Sequence, residues 1–234
     1  MVVDKRGIGL LVATLLIGMG GVAAYGATIT NWTFESYTPP AAATTSAGPF
    51  AAEEGTGNAT VIHAVASTFG AVAGNGSAKS LSSNTWTTGD YDQFVVPTTG
   101  HSGIFLQWDQ TRSGTGPATF DLLYSTDGIS FTTALDDYTV LTNASPPGTW
   151  SSGSSRIPDY VRTVDLSAVT ALDNQPSVTF RLVSQVTSAV AGTNRVDNFL
   201  VSEGPPPTVP EPAMLGLLGV IAFSALGGRR RLVK

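Results

Sequence analysis

Apolar and polar residues alternate in short runs along the middle of the chain, and this pattern predicts β-strands. The segment "SGIFLQWDQ" places Ile104, Leu106 and Trp108 on one face of a strand and Gln107 and Asp109 on the other. Clusters of Gly, Pro, Asn, Asp and Ser separate such runs, and no 3.6-residue apolar period is sustained. The pattern predicts an all-β, antiparallel sandwich over residues 27–203.

The segment "TFDLLYSTDGISF" is the clearest predicted hairpin. Phe120, Leu122 and Tyr124 alternate toward one face, and Asp127-Gly128 is a residue pair typical of a type I′ turn. Further predicted strands are "ATITNWTFESY", "ATVIHAVAST", "VRTVDLSAV", "SVTFRLVSQV" and "NRVDNFLVSE". Residues 38–60 have few large apolar side chains, so the sequence predicts a long loop there.

Both ends of the chain carry an apolar run beside basic residues. Residues 1–26 have a basic start with Lys5 and Arg6, an apolar stretch, and small residues at Ala24 and Gly26, after either of which cleavage fits. This is the organisation of a signal peptide, and an uncleaved anchor helix is the alternative. Either form predicts that the following domain is exported.

Residues 213–234 predict a second apolar helix. Ala213 to Gly228 contains no charge and would span about 24 Å as a helix, slightly less than the roughly 30 Å of a bilayer core. The arginines that follow it should stay on the cytoplasmic side, as should Lys5 and Arg6 at the other end. Both ends therefore predict that the domain lies outside the inner membrane, beyond a proline-rich stalk at residues 204–212.

A short motif connects this stalk to the apolar helix. The motif is Val209-Pro210-Glu211-Pro212, and the tail is completed by Arg229, Arg230 and Arg231. In this order, motif, apolar helix and arginine cluster resemble the PEP-CTERM sorting signal of Gram-negative bacteria. The resemblance implies exosortase as a partner, transient membrane attachment, and a mature form at the cell surface or in the extracellular matrix. A plain stop-transfer anchor is the alternative.

The predicted domain also shows a looser resemblance. In chain order, "WTFE", "SGTGPATFDLLYSTDGISF", "VTFRLV" and "RVDNFLV" are similar to the jelly-roll ectodomains attached to such signals. Those domains are distantly similar to carbohydrate-binding and laminin-G-like sandwiches. The resemblance implies a jelly-roll fold and an association with exopolysaccharide or biofilm.

Charge and composition exclude several classes of function. Between Ala27 and Pro212 there are six basic and sixteen acidic residues, a net charge of 6 − 16 = −10. Such a surface repels phosphate backbones, so the sequence argues against nucleic-acid binding. The chain has no cysteine, which excludes disulfides, thiolate metal sites and a cysteine nucleophile.

Catalytic motifs have little support in the sequence. The two histidines, His63 and His101, lie in a predicted strand and after a turn, and there is no Gly-x-Ser-x-Gly elbow. The carboxylate pairs Glu53-Glu54 and Asp136-Asp137 are adjacent, so on a strand their members point to opposite faces. They do not predict the facing acid and base of a glycosidase, and the sequence predicts a non-enzymatic protein.

Two kinds of binding site have candidate residues. Candidate oxygen ligands for a structural calcium ion are Asp90, Asp92 and Asp197, with hydrogen bonding of Asp197-Asn198 to neighbouring turns as the alternative. Aromatic residues in polar or turn-like surroundings that could stack on sugar rings are Trp86, Tyr91, Trp150 and Tyr160, with partial burial at the edges of the sandwich as the alternative, whereas Trp32 and Trp108 are expected in the core. The sequence thus predicts an exported surface or matrix protein, with a carbohydrate-binding module as the alternative.

Overall fold

The computed structural model describes residues 26–207 of the protein, which form a two-sheet sandwich. The strands in this range are β1 (Ala27–Trp32), β2 (Thr44–Ala51), β3 (Glu54–Gly55), β4 (Asn58–Ser67), β5 (Phe69–Val72), β6 (Ser80–Ser83), β7 (Tyr91–Val96), β8 (Ile104–Arg112), β9 (Thr119–Ser125), β10 (Thr132–Thr139), β11 (Val161–Asp165), β12 (Val178–Ser184) and β13 (Asn194–Glu203). Single 3₁₀ turns lie at Pro158–Tyr160 and Thr170–Leu172.

The strands form two antiparallel sheets. The six-stranded sheet has the order β10-β9-β12-β7-β4-β2. The seven-stranded sheet has the order β11-β8-β13-β1-β3, and β6 extends it by pairing with β13 and with β5. Neighbours in space are mostly not neighbours in sequence, so the chain crosses repeatedly between the sheets. The all-β, antiparallel sandwich predicted from the sequence is confirmed.

Aromatic side chains from both sheets meet in the core. Phe94 on β7 and Phe199 on β13 stack face to face, with ring centroids 3.6 Å apart. Trp32 on β1 packs edge-on against both rings, with centroid distances of 5.3 Å and 6.0 Å. All three side chains are fully buried. Since the stacked rings belong to different sheets, this contact holds the inner faces together.

The positions predicted to face the core of the sandwich do so. Ile104, Leu106 and Trp108 on β8 are fully buried, and Trp32 is in the core as expected. The last predicted strand, "NRVDNFLVSE", coincides with β13. The end of β13 also lies beside the start of β1, and the Gly26 N–H donates to the Pro205 carbonyl across 2.8 Å.

Two predictions of local structure are wrong. Residues 38–60 contain β2 and β3, because the small residues of "TTSAGPFA" form an edge strand on β4 in which Ala47 is buried. The hairpin between β9 and β10 has no type I′ turn. Instead, Asp127 Oδ1 accepts hydrogen bonds from the N–H groups of Ile129 and Ser130, at 2.8 Å and 2.7 Å, within a six-residue loop.

Candidate functional site

The outer face of the six-stranded sheet carries a row of polar and apolar side chains. Arg181 on β12 faces outward, because the residues on either side of it are buried in the core. The strand register places Arg181 opposite Gln93 of β7 on one side and Leu123 of β9 on the other. Gln93 in turn lies opposite Thr60 of β4. These four side chains therefore form one row across the outer face.

The Arg181 guanidinium lies between two aromatic rings. Its Cζ atom is 4.2 Å from the ring centroid of Tyr91 and 3.9 Å from that of Phe131. Tyr91 begins β7 and Phe131 directly precedes β10, so the rings approach from opposite sides of β12. Each ring attracts the cation through its electron-rich face. We call Tyr91, Arg181 and Phe131 the arginine stack.

Hydrogen bonds fix the orientation of the guanidinium. Arg181 Nε donates to Gln93 Oε1 across 2.8 Å, and Gln93 Nε2 donates to Thr60 Oγ1 across 3.5 Å. Within residues 26–207, neither terminal nitrogen of Arg181 donates a hydrogen bond, and no carboxylate lies within 4.0 Å of it. The arginine stack thus holds a positive charge that these residues do not neutralise by an ion pair.

Apolar side chains extend the same face. Ile62 of β4, which is 37% exposed, lies opposite Tyr91, and Val183 of β12 lies on the other side of Tyr91. The face therefore combines exposed ring and aliphatic surface with oriented amide and guanidinium donors. This combination suits a sugar, whose ring has apolar C–H faces and hydroxyl groups at its edges.

Of the four aromatic residues expected to be exposed, only Tyr91 is partly exposed at the surface. Trp86 is 1% exposed, its Nε1 donates to the Ser83 carbonyl across 3.1 Å, and its ring packs on Phe120. Trp150 and Tyr160 are also buried and pack edge-on against each other, with centroids 5.9 Å apart. The expectation that these three aromatic side chains are exposed is wrong, because each has partners of its own.

The three calcium candidates do not come together. Asp90 and Asp92 lie at the start of the six-stranded sheet's β7, whereas Asp197 lies on β13 of the seven-stranded sheet. Asp90 accepts hydrogen bonds from the N–H groups of Ala64 and Thr87, at 2.7 Å and 2.6 Å. Among the described residues, no group of three His, Asp or Glu side chains is arranged to hold a metal ion.

The buried histidine has the neighbours of a catalytic triad but not its geometry. His63 Nδ1 lies 2.9 Å from Ser67 Oγ and 3.2 Å from Asp90 Oδ2, so the serine and the carboxylate meet the same ring nitrogen. A proton relay needs them on different nitrogens. Burial lowers the pKa of His63, and the charge of Asp90 opposes this shift. His63 therefore belongs to the packing of β4 against Trp86, whose ring centroid is 4.5 Å away.

A second polar cluster is buried on the outer side of the seven-stranded sheet. Asp109 on β8 and Asp197 on β13 lie opposite each other and are both 0% exposed. Arg156 binds both oxygens of Asp109, with Nε at 2.8 Å and 3.1 Å, and amide donors from Asn75 and Asn198 complete its shell. A bulge in β13 turns Asp197 and Asn198 toward this cluster.

These carboxylates form hydrogen bonds within the fold and do not face each other across a cleft. Asp197 accepts hydrogen bonds from Ser77 Oγ at 2.7 Å and from the Asn75 N–H at 3.0 Å. The cavity of about 230 Å³ that includes Tyr37 and Phe50 contains one carboxylate, Glu53, which accepts a hydrogen bond from Ser36 Oγ at 2.7 Å. The acid and base of a glycosidase would have to face each other across a substrate.

The predicted export and sorting segments lie outside the described residues. They comprise residues 1–25, Val209, Pro210, Glu211, Pro212, the apolar run, and Arg229, Arg230 and Arg231. Within residues 26–207, no helix is long and apolar enough to cross a membrane.

Comparison with known proteins does not define a family for this chain. No family model matches, and no curated protein matches. Among solved structures, a xylan-binding CBM22 domain from Paenibacillus barcinonensis is 12% identical, with a TM-score of 0.38, covering 79% of this chain and 99% of that one. A cleaved adhesin domain of Lys-gingipain from Porphyromonas gingivalis is 17% identical, with a TM-score of 0.42, covering 76% and 100%. A family 11 carbohydrate-binding module from Clostridium thermocellum is 14% identical, with a TM-score of 0.38, covering 72% and 100%.

Sequence reasoning missed two of the three members of the arginine stack. The alternation of "SVTFRLVSQV" already places Arg181 on the face opposite Phe180 and Leu182, which is a signal for an outward-facing cation. Phe131 gave no such signal, because the sequence placed it in the returning strand of the hairpin. Its ring reaches Arg181 only because the six-residue loop ends there.

Proposed function

We propose that this chain is an exported, non-catalytic protein that binds a polysaccharide on the outer face of its six-stranded sheet. The observation that carries the proposal is the arginine stack, in which Tyr91 and Phe131 are held at fixed positions on either side of Arg181. Aromatic rings fixed in this way provide surface for sugar rings at little cost in conformational entropy. Gln93 and Thr60 add hydrogen-bonding groups in the same row.

The arrangement of the acidic side chains supports a non-catalytic role. Asp109 is held by Arg156 and by two amide donors, and Asp197 by a hydroxyl and backbone N–H groups. These contacts stabilise buried charges in the fold and leave neither group facing a cleft. On the outer face of the six-stranded sheet, by contrast, stacking and hydrogen bonding are centred on Arg181, and no carboxylate of residues 26–207 lies within 4.0 Å of its guanidinium.

The predicted segments at the two chain ends support an extracellular location for this binding. A signal peptide at residues 1–26 would export the sandwich, and the PEP-CTERM-like tail from Val209 would make it an exosortase substrate. The mature protein would then meet exopolysaccharide outside the inner membrane. Association with an extracellular matrix or biofilm is the role that we propose for the whole chain.

Loss of the Tyr91 ring should weaken glycan binding. We expect Tyr91→Ala to reduce affinity by about 10-fold or more, because the substitution removes one stacking surface and loosens Arg181. Binding should be measured by isothermal titration of the full chain, in a zwitterionic detergent without a sugar headgroup, against xylan, mixed-linkage β-glucan, alginate and polygalacturonate.

The control for this test is Val190→Ala, which truncates a side chain that is 74% exposed in the loop before β13. This variant should bind as the wild type does. Absence of binding to all four polymers, or equal binding by the Tyr91→Ala variant and the wild type, would contradict the proposed function.

Processing by exosortase should remove the arginine-rich tail. In cells that contain exosortase, we expect the mature chain to end near Pro210–Pro212, whereas cells lacking the enzyme should retain Arg229, Arg230 and Arg231. Mass spectrometry of the C-terminal peptide after cell fractionation distinguishes these forms. An intact tail in both strains would refute the sorting proposal and leave the plain membrane anchor.

A further inference from the structure

We infer that the glycan bound by the outer face is acidic, and that Arg181 binds the carboxylate of a uronic acid residue in it. This inference rests on the proposed function and names the class of polysaccharide for the same site. It starts from the unusual position of a cation in the middle of a sheet face, between two rings and without a carboxylate partner among residues 26–207.

The geometry determines which part of the guanidinium is available. Tyr91 and Phe131 cover it from the two sides, with Cζ at 4.2 Å and 3.9 Å from their centroids. Nε is used by Gln93 Oε1 at 2.8 Å. The edge formed by the two terminal nitrogens has no hydrogen-bond partner in the described part of the chain. Two parallel N–H groups at a guanidinium edge match the spacing of carboxylate oxygens.

The arginine stack also keeps this edge in place before a ligand arrives. An unconstrained arginine loses rotamer freedom when it binds, which lowers the affinity that its charge can supply. Here the two rings and the Gln93 hydrogen bond already restrict the side chain. A uronic acid would place its carboxylate at the guanidinium edge and its ring beside Tyr91 or Phe131.

The charge of the surrounding domain makes this contact selective. With a net charge of 6 − 16 = −10 between Ala27 and Pro212, the body repels polyanions at long range. On the outer face, Asp121 lies opposite Val183, one row from Arg181, and accepts a hydrogen bond from the Asp137 N–H at 2.8 Å. A general attraction for acidic polymers is therefore absent, and any preference for them must come from a local contact.

Chemical reduction of the polymer provides a matched pair of ligands. Polygalacturonate and alginate should each be compared with their carboxyl-reduced forms, which keep the sugar backbone and replace each carboxylate with a hydroxymethyl group. We expect the full wild-type chain, in the zwitterionic detergent, to bind the acidic form at least about 10-fold more tightly than the reduced form.

The variant Arg181→Gln should abolish this preference. The ratio of the affinities for the acidic and the reduced polymer should fall to about one, because glutamine carries no charge to bind the carboxylate. Arg181→Lys should retain part of the preference, since a lysine keeps the charge but lacks the planar pair of donors.

The outcomes distinguish failure of the inference about acidic glycans from failure of the proposed glycan binding. Equal binding of acidic and reduced polymers by the wild type would overturn the inference and leave the glycan site intact. A preference that persists in Arg181→Gln would also overturn it. If neither form of either polymer binds, and xylan and β-glucan do not bind, the proposed function fails together with the inference.

Discussion

The protein should lose stability as the pH rises from about 5 to about 8, and replacing Asp92 with asparagine should remove much of this loss. The wild type should unfold at lower denaturant concentration at the upper end of this range than at the lower end. The Asp92→Asn variant should show a slope that is smaller by roughly 1 kcal/mol per pH unit. Urea denaturation of the full chain at a series of pH values measures both slopes.

The reason is the burial of the Asp92 carboxyl in the core. It is 2% exposed, and burial together with the nearby charge of Asp90 raises its pKa to about 8. Below the ordinary pKa of 3.8, both the folded and the unfolded chain carry the proton, and the stabilisation is complete. Above 3.8 the unfolded chain releases its proton first, so stability falls until the pH passes the folded value near 8. Asparagine stays neutral and cannot contribute this slope.

Part of the slope should remain in the variant. Burial also raises the pKa of Asp197, to about 7, and this group acts in the same direction. The matched control is Asp159→Asn, since Asp159 is an exposed carboxylate outside both clusters. A wild type whose stability rises with pH over this range, or an Asp92→Asn variant with the wild-type slope, would contradict a protonated Asp92 in the core.

Removal of the Arg156 guanidinium should destabilise the fold by about 3 kcal/mol. Arg156→Met keeps most of the aliphatic stem but leaves the carboxylates of Asp109 and Asp197 buried on adjacent strands without the cation that binds Asp109. Burial raises the pKa of Asp109, and Arg156 with two amide donors opposes that rise. Without the arginine, one carboxylate must take up a proton or admit water.

A second substitution distinguishes loss of the charge pair from loss of packing. Combining Arg156→Met with Asp109→Asn removes both charges, so the double variant should recover part of the lost free energy of unfolding. Arg162→Met is the control, because within residues 26–207 the Arg162 side chain donates one hydrogen bond, which is exposed, to the Thr139 carbonyl at 2.8 Å. Equal destabilisation by Arg156→Met and Arg162→Met would show that the buried cluster does not depend on its cation.

The period-two pattern predicts the sandwich where strands cross its middle. On β8 and β13, inward positions carry large apolar residues such as Trp108 and Phe199, and their alternation reveals the buried face without further information. The pattern fails at residues 38–60, because an edge strand needs only backbone partners and one small inward residue, Ala47. Strand β2 forms because its backbone hydrogen-bonds to β4, and this pairing leaves no signal in the hydropathy pattern.

The candidate site was less predictable from the sequence than the fold. Polar surroundings suggested that Trp86, Trp150 and Tyr160 are exposed, but Trp86 is buried against Phe120, and Trp150 and Tyr160 are buried against each other. Tyr91 is partly exposed because it faces outward at the start of β7. Its meeting with Arg181 and Phe131 depends on the strand order β10-β9-β12-β7, which requires knowledge of the pairing.

Hydroxyl-radical footprinting of the full chain tests most directly whether a glycan lies on the outer face of the six-stranded sheet. Oxidation of each side chain should be measured by mass spectrometry with and without oligosaccharides of the tightest-binding polymer among xylan, mixed-linkage β-glucan, alginate and polygalacturonate. We predict that the ligand protects Tyr91 and Phe131 and leaves the exposed Val190 unchanged. Unchanged oxidation of both rings while another surface of the protein becomes protected would contradict the proposed site.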